Sequence, residues 1–99
     1  MNIVAITACP TGIAHTYMAA EKLEQAARKA GHTIKVETQG AMGIENEISA
    51  KEAAAAQAVI FACDIAVNKR ERFASIPKVI EVSVQSAIKD PAGIIAKLA

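Results

Sequence analysis

The sequence is short of aromatic residues, with one Tyr, two Phe and no Trp among 99 residues. A base-stacking nucleic-acid binder needs an aromatic platform, and Tyr17, Phe61 and Phe73 do not make one. An excess of charge is also missing. Eleven Lys and Arg stand against ten Asp and Glu, for a net charge of +1. No basic run is long enough to follow a phosphate backbone, so no nucleic-acid partner is expected. No apolar stretch approaches the roughly 18 residues that a membrane-spanning helix needs, so no direct membrane insertion is expected. Met1 leads into an apolar run with no basic leader and no cleavage site, which predicts no signal peptide and a cytoplasmic location. Cysteine is scarce too. Cys9 and Cys63 lie far apart without a CxxC pattern, which fits neither a disulfide scaffold nor a zinc knuckle. No metal and no cofactor are expected.

What remains is apolar and small. The composition is 53% hydrophobic, and 22 Ala and 13 Ile far outnumber the two Leu. That is enough to bury the core of one domain, residues 1–99, and too little for two. Asn2 to Ala8 is a short, continuous, β-branched run, the pattern of a strand buried on both faces of a parallel sheet. Cys9-Pro-Thr-Gly12 breaks it. From Thr16 the period becomes helical, through Ala20, Leu23, Ala27 and Ala30, and Gly31 suits the left-handed cap that ends a helix.

The unit then recurs. His32 to Thr38 predicts a second strand with Ile34 and Val36 alternating, followed by a loop over Gln39 to Gly43. Ser49 predicts an N-cap, with Glu52 three places on completing a capping box. An alanine-rich helix comes next, to about Gln57. Ala58 to Ala62 predicts a third strand closed by Cys63-Asp64, and a short polar helix is expected over Asn68 to Phe73. Lys78 to Val82 predicts a fourth strand. Ala87 to Lys97 is expected to be largely helical, with Asp90 as a cap and Pro91 in a first turn. The fold class expected is therefore α/β: a doubly wound, four-stranded parallel sheet with helices on both faces, a Rossmann-like three-layer sandwich. In such sheets sites form at the carboxyl ends of the strands. Cys9, the Gln39–Gly43 loop and Cys63-Asp64 all fall on that rim.

Cys9-Pro10-Thr11-Gly12-Ile13-Ala14-His15-Thr16 carries the chemistry. It joins a buried strand to a helix N-terminus, where unpaired N–H groups and the helix dipole favour an anion. Gly12 permits the tight turn that points successive N–H groups inward, and Thr11 and Thr16 add hydroxyls. The same dipoles favour a thiolate at Cys9, which puts a nucleophile beside a phosphate cradle. Five residues separate Cys9 from His15, the spacing between Cys and Arg in the phosphate loops of tyrosine phosphatases. There the Arg grips two phosphoryl oxygens at once, whereas His offers a single donor. A weaker grip suits a site that holds a phosphoryl group and passes it on. His15 leaves two readings open, a direct phosphate contact or a first-turn residue bonded to solvent or backbone.

Cys9 to Thr16, followed by Tyr-Met-Ala-Ala, resembles the IIB domain of the fructose family of the bacterial phosphotransferase system. Val36-Glu-Thr-Gln-Gly40 and Gly43…Asn46 are similar to that family as well, and the likeness spans essentially the whole chain. The resemblance implies a phosphocysteine at Cys9 and a phosphate-binding loop over Pro10, Thr11, Gly12, Ile13, Ala14, His15 and Thr16. It also implies two partners. One is a IIA domain that donates phosphate from a histidine, and the other is the membrane-embedded IIC transporter, whose bound sugar accepts it.

Outside the loop, Cys63 reads as structural, because no base adjoins it. Asp64 reads as a turn former and His32 as structural or solvated, at the sheet's opposite end. Asn68 to Arg72 reads as a solvated charged face. Ile13, Tyr17 and Met42 are expected near the mouth of the site, with Ile13 the best docking contact. Three other functions compete. A cysteine-dependent phosphatase is disfavoured by the missing loop arginine. A regulatory phosphocysteine module stays open on these 99 residues. A nucleotide-binding fold is disfavoured, because the first loop has one Gly where the dinucleotide fingerprint needs three.

Overall fold

The computed structural model describes residues 1–9, 13–40 and 43–98, and of Ile13 the backbone only. The elements run β1 (Asn2–Ala8), α1 (Ile13–Lys29), β2 (Thr33–Gly40), β3 (Gly43–Glu45), α2 (Ala50–Ala55) and β4 (Ala58–Cys63). A 3-10 turn (Arg70–Phe73), β5 (Lys78–Val82), α3 (Val84–Lys89) and α4 (Pro91–Ala96) complete them. The sheet order is β3-β2-β1-β4-β5. The four expected strands are parallel, and β3 adds a fifth, antiparallel to β2, with Gly40 opposite Gly43. What the sequence presents as a plain loop after β2 is thus a reversal that pairs. Gly43 has a φ of 86°, a left-handed conformation that glycine adopts without steric cost.

Alternation along the strands sorts the core into two layers. Ile3 and Ala5 of β1, with Ile60 of β4, pack beneath α1, α3 and α4 through Leu23, Ala27, Val84, Ala87, Ile94 and Ile95. Val4, Ile6, Val59 and Phe61 face the other way, onto Ala53 of α2 and onto Ile48, Phe73 and Ile76. β1 sits at the centre, and β2 and β4 lie on its two sides, so the winding direction changes next to it.

Local signals explain the element ends. Gly31, with a φ of 86°, closes α1. The His32 amide bonds the Ala27 carbonyl at 2.9 Å and that of Gly31 bonds Arg28 at 3.0 Å, a Schellman pair. The Ser49–Glu52 capping box forms as expected. Lys35 adds two contacts to Glu52, at 2.8 and 2.9 Å. The Lys35 bonds, helped by the Ser49 amide, hold that exposed carboxyl down to about 2. Asp90 caps α4 by accepting from the Gly93 amide, with Pro91 at the helix start. The final helical stretch starts earlier than expected, because Ser83 caps a separate α3 that ends at Lys89.

Candidate functional site

Cys9 comes directly after the last residue of β1 and is 3% exposed. Ala8 is level with Gln39 of β2 and with Cys63 of β4, so three strands end together on one rim. From that rim rises α1, a helix of 17 residues with no acid in its first turn and Arg28 and Lys29 in its last. Its N-terminal partial charge is therefore not offset by its own side chains, while its C-terminal end is.

A cavity of about 280 Å³ opens at Cys9. Gln39 and Gly40 line it from β2, Gly43 and Ile44 from β3, and Ile65, Ala66 and Asn68 from the segment after β4. Gly40 passes close to the first turn of α1. A Cβ built there would sit 3.7 Å from Oγ1 of Thr16. Thr16 is 2% exposed, and its carbonyl accepts from the buried Thr7 hydroxyl at 3.1 Å, which ties the start of α1 to β1.

Of the other expected loop residues, Ala14 and His15 are exposed in the first turn of α1. Pro10, Thr11, Gly12 and the side chain of Ile13 lie outside the described residues, as does Met42. Tyr17 is 41% exposed, yet it does not line the Cys9 cavity. Its hydroxyl donates to Glu45 of β3, and that bond pushes the phenol above its ordinary value. Among the described residues, no group of three or more His, Cys, Asp or Glu side chains is arranged to hold a metal ion.

The second thiol has a different setting. Cys63 packs on the α2 side, and its Sγ donates to the Ile6 carbonyl at 3.5 Å. Burial pushes it up to about 12, against a weaker lowering by a backbone bond. Asp64 bonds the Ala8 carbonyl through its amide at 2.9 Å and accepts from the Val84 amide at 3.2 Å. His32 sits against the chain's amino terminus, 3.2 Å from it, at the far end of β1.

Asn68, Lys69, Arg70 and Glu71 form the exposed face expected, and Arg72 alone departs from it. Arg70 lies 4.1 Å over the Phe61 ring and pairs with Glu81 at 2.7 Å. Arg72 has a side chain only 9% exposed and forms an ion pair at 2.7 Å with Glu37, which is fully buried. The sequence hides this pair because β2 looks like a half-exposed strand with Val36 inward. In the fold, residues 36–39 are buried on both faces. A sequence signal did exist: Glu37 and Gln39 alternate with Val36 and Thr38, so two polar side chains share one face of an interior strand. Ile65 and Ala66 had no comparable signal.

The geometry is that of a buried thiol on a cavity with Gln39 and Asn68 in an otherwise mostly apolar lining, and the first turn of α1 approaches that lining at Gly40. Such a site can accept a small anion and present sulfur to it. A protein-family model described as "PTS system, Lactose/Cellobiose specific IIB subunit" matches residues 4–97. The PTS system fructose-like EIIB component 2 of Escherichia coli (strain K12) is 48% identical over 97 residues, covering 98% of this chain and 91% of that protein. The fructose-like PTS system EIIBC component of the same organism is 55% identical over 92 residues, which are 91% of this chain and 19% of that longer protein. Among solved structures, the Enzyme IIB subunit of the PTS system from Escherichia coli K12 superposes with a TM-score of 0.91 at 45% identity, covering 98% of this chain and 89% of that one. A domain of a fructose-specific IIABC component from Borrelia burgdorferi gives a TM-score of 0.90 at 46% identity, with 98% and 91% covered.

Proposed function

We propose, for a chain that belongs to the fructose-type IIB family of the phosphotransferase system, that it carries a phosphoryl group on Cys9. One observation carries this reading: Cys9 directly follows the central strand and lines the rim cavity, and a 17-residue helix free of acids in its first turn starts at Ile13. The donor is a phosphohistidine on a IIA domain. The Cys9 sulfur attacks phosphorus in line, an S–P bond forms, and the P–N bond breaks with its electron pair left on the imidazole. Backbone N–H groups over residues 11–16 meet the charge on the equatorial oxygens, with the α1 dipole behind them. Thr16 contributes by tying the start of α1 to β1 through the Thr7 hydroxyl, and His15 stands in the first turn of that helix.

In the second step a sugar hydroxyl attacks the thiophosphate. The S–P bond breaks, the pair returns to sulfur, and the hydroxyl proton passes to a base on the IIC transporter that holds the sugar. Fusion of a IIB to a IIC segment in the EIIBC relative supports that partnership. The acceptor is fructose or a fructose-like sugar. The relatives' names support that choice over the disaccharides in the family model's description. No helix among the described residues is long and apolar enough to cross a membrane; in this reading the IIC transporter holds the sugar in the membrane and the chain meets it at the inner face.

The test is intact mass at neutral pH after incubation with phosphoenolpyruvate, the general relay proteins and a fructose-type IIA donor. Gain of one phosphoryl group by the wild type and none by Cys9→Ser is the expected result. No gain, with steady hydrolysis of an aryl phosphate, would replace the carrier with a phosphatase. No gain and no hydrolysis would reduce the loop to an anion site.

A further inference from the structure

The guanidinium of Arg72 has all its donors engaged. Its Nη1 donates to Glu37 Oε1 at 2.7 Å and to the Ile48 carbonyl at 2.6 Å. Its Nη2 donates to Glu37 Oε2 at 3.0 Å and to the Asn68 carbonyl at 3.2 Å. Its Nε donates to the Lys69 carbonyl at 2.8 Å. Five N–H groups thus meet acceptors on three separate segments: β2, the connection before α2 and the connection after β4. Only a planar fork has the donors for that set, and an ammonium does not.

Glu37 completes the joint. It accepts from the Ile48 amide at 2.8 Å and from Gln39 Nε2 at 2.6 Å. Burial pushes its carboxyl up, but the bonds from Arg72, Gln39 and Ile48 outweigh this and leave it below its ordinary value. Gln39 then grips Asn68 at both backbone atoms, accepting from its amide at 2.8 Å and donating to its carbonyl at 3.2 Å. Gln39 and Asn68 both line the Cys9 cavity. Next to Asn68, Lys69 holds a left-handed backbone with a φ of 58°, a strained conformation for a residue with a side chain.

A buried ion pair is a poor device for stability, since apolar side chains of similar volume hold a fold about as well. This one does something apolar side chains cannot. It fixes two chain segments by their carbonyls and ends on Asn68 in the lining of the Cys9 cavity. We infer that Arg72, acting through Glu37 and Gln39, is a positioning residue that sets the Asn68 wall of the Cys9 cavity and thereby the rate of phosphoryl transfer. The inference about rate rests on the carrier reading of Cys9, whereas the inference about the wall does not.

The experiment compares wild type, Arg72→Lys and Gln39→Leu. Gln39→Leu leaves the Arg72–Glu37 pair in place and removes the bonds of Gln39 to Asn68 and to Glu37. Single-turnover arrival of phosphate on Cys9 is followed against the concentration of phosphorylated IIA donor, after circular dichroism has shown each chain folded. The limiting rate should fall at least tenfold in both variants, with less than a twofold change in the half-saturating donor concentration. A folded variant with a limiting rate within twofold of wild type overturns the inference, and so does a change confined to half-saturation. Where Arg72→Lys does not fold, Gln39→Leu decides alone by the same limits. Amide hydrogen exchange reads the wall without any donor. Asn68 should exchange at least tenfold faster in either variant, and unchanged exchange overturns the positioning role. A wild type that takes no phosphate would instead remove the carrier reading, while the exchange result still decides the clamp.

Discussion

Two cysteines end neighbouring parallel strands on the same rim of one sheet, yet their surroundings prepare them for different work. Cys9 closes β1 and packs in the cluster under α1, while Cys63 closes β4 and packs against the cluster under α2. Burial does not separate them, because Cys9 is the more buried of the two. The segment beyond each strand end separates them. After Cys9 the chain enters a long helix with no acid in its first turn, and a cavity opens there. After Cys63 it enters an irregular segment held by side chains, and the thiol donates a hydrogen bond to the Ile6 carbonyl. The Cys63 sulfur is protonated at neutral pH, since burial has pushed it up to about 12. A place on the rim is common to both, so the carrier role proposed for Cys9 rests on the helix that follows its strand end.

The largest expected effect breaks the comparison at its active side. Cys9→Ser should abolish the gain of phosphoryl mass while leaving the circular dichroism spectrum unchanged, because Ser replaces a buried thiol by a group of similar size. Transfer at the wild-type rate in that variant would take Cys9 out of the mechanism, and Cys63 would become the nucleophile to test.

The next effect falls on the segment after Cys63. Arg72→Met leaves Glu37 buried and charged without its partner, which should cost about 3–5 kcal/mol in urea unfolding. Exchanging both partners, Glu37→Leu with Arg72→Met, should restore much of that stability. It should not restore the transfer rate if the pair serves to position the cavity wall. The pH dependence has a definite sign. Glu37 is held below its ordinary 4.5 in the fold, so its contribution is present above about pH 4.5 and is lost as pH falls through the lower folded value. Glu37→Gln should flatten that part of an acid-unfolding curve, and an unchanged acid limb would mean the pair is not charged as described.

These effects mark where the sequence was legible. Asn2 to Ala8, Ser49 with Glu52, Gly31 and Asp90-Pro91 announce their structures because each is decided within a few residues, by period or by a cap. The parallel sheet and the rim holding Cys9 came from those pieces and from the rule for α/β sheets. β3 was missed because three residues, Gly43–Glu45, are too few for a period to show. Glu37 and Arg72 were missed for a different reason. Their partnership spans 35 positions, and whether a charge is buried depends on what lies over it, not on its neighbours in sequence. Cys9 was read as a candidate nucleophile from its loop and the Gln39–Gly43 loop as sharing its rim, but the place of Asn68 in the cavity lining came only with the fold.

A smaller effect sharpens the contrast between the strand ends. Thr7 lies in β1 two residues before Cys9, and its hydroxyl bonds the Thr16 carbonyl at 3.1 Å. Thr7→Val keeps the shape and removes the bond, which should cost about 1 kcal/mol in urea unfolding. Because the bond ties the start of α1 to β1, the transfer rate should fall as well. A Thr7→Val chain that loses stability but transfers at the full rate would show that the start of α1 tolerates slack.

The smallest expected effect is that of Cys63→Ala, and its value lies in how little changes near neutrality. Cys63 does not line the cavity at Cys9, and the bond its thiol donates, to the Ile6 carbonyl, is a weak one. Phosphoryl transfer should therefore remain within twofold of wild type. The variant should differ at alkaline pH. In the fold the thiol titrates near 12, above its ordinary 9.0, so the unfolded chain loses this proton first. The raised value favours the fold below pH 9 relative to higher pH, and that advantage is lost progressively between about 9 and 12. Cys63→Ala has no such proton to lose, so its melting temperature should drop less between pH 8 and pH 10 than that of wild type. Cys9 is common to both chains and cancels from the difference. Equal drops would mean that Cys63 is as free to ionise as an exposed thiol. The contrast between the two strand ends would then rest on the helix alone.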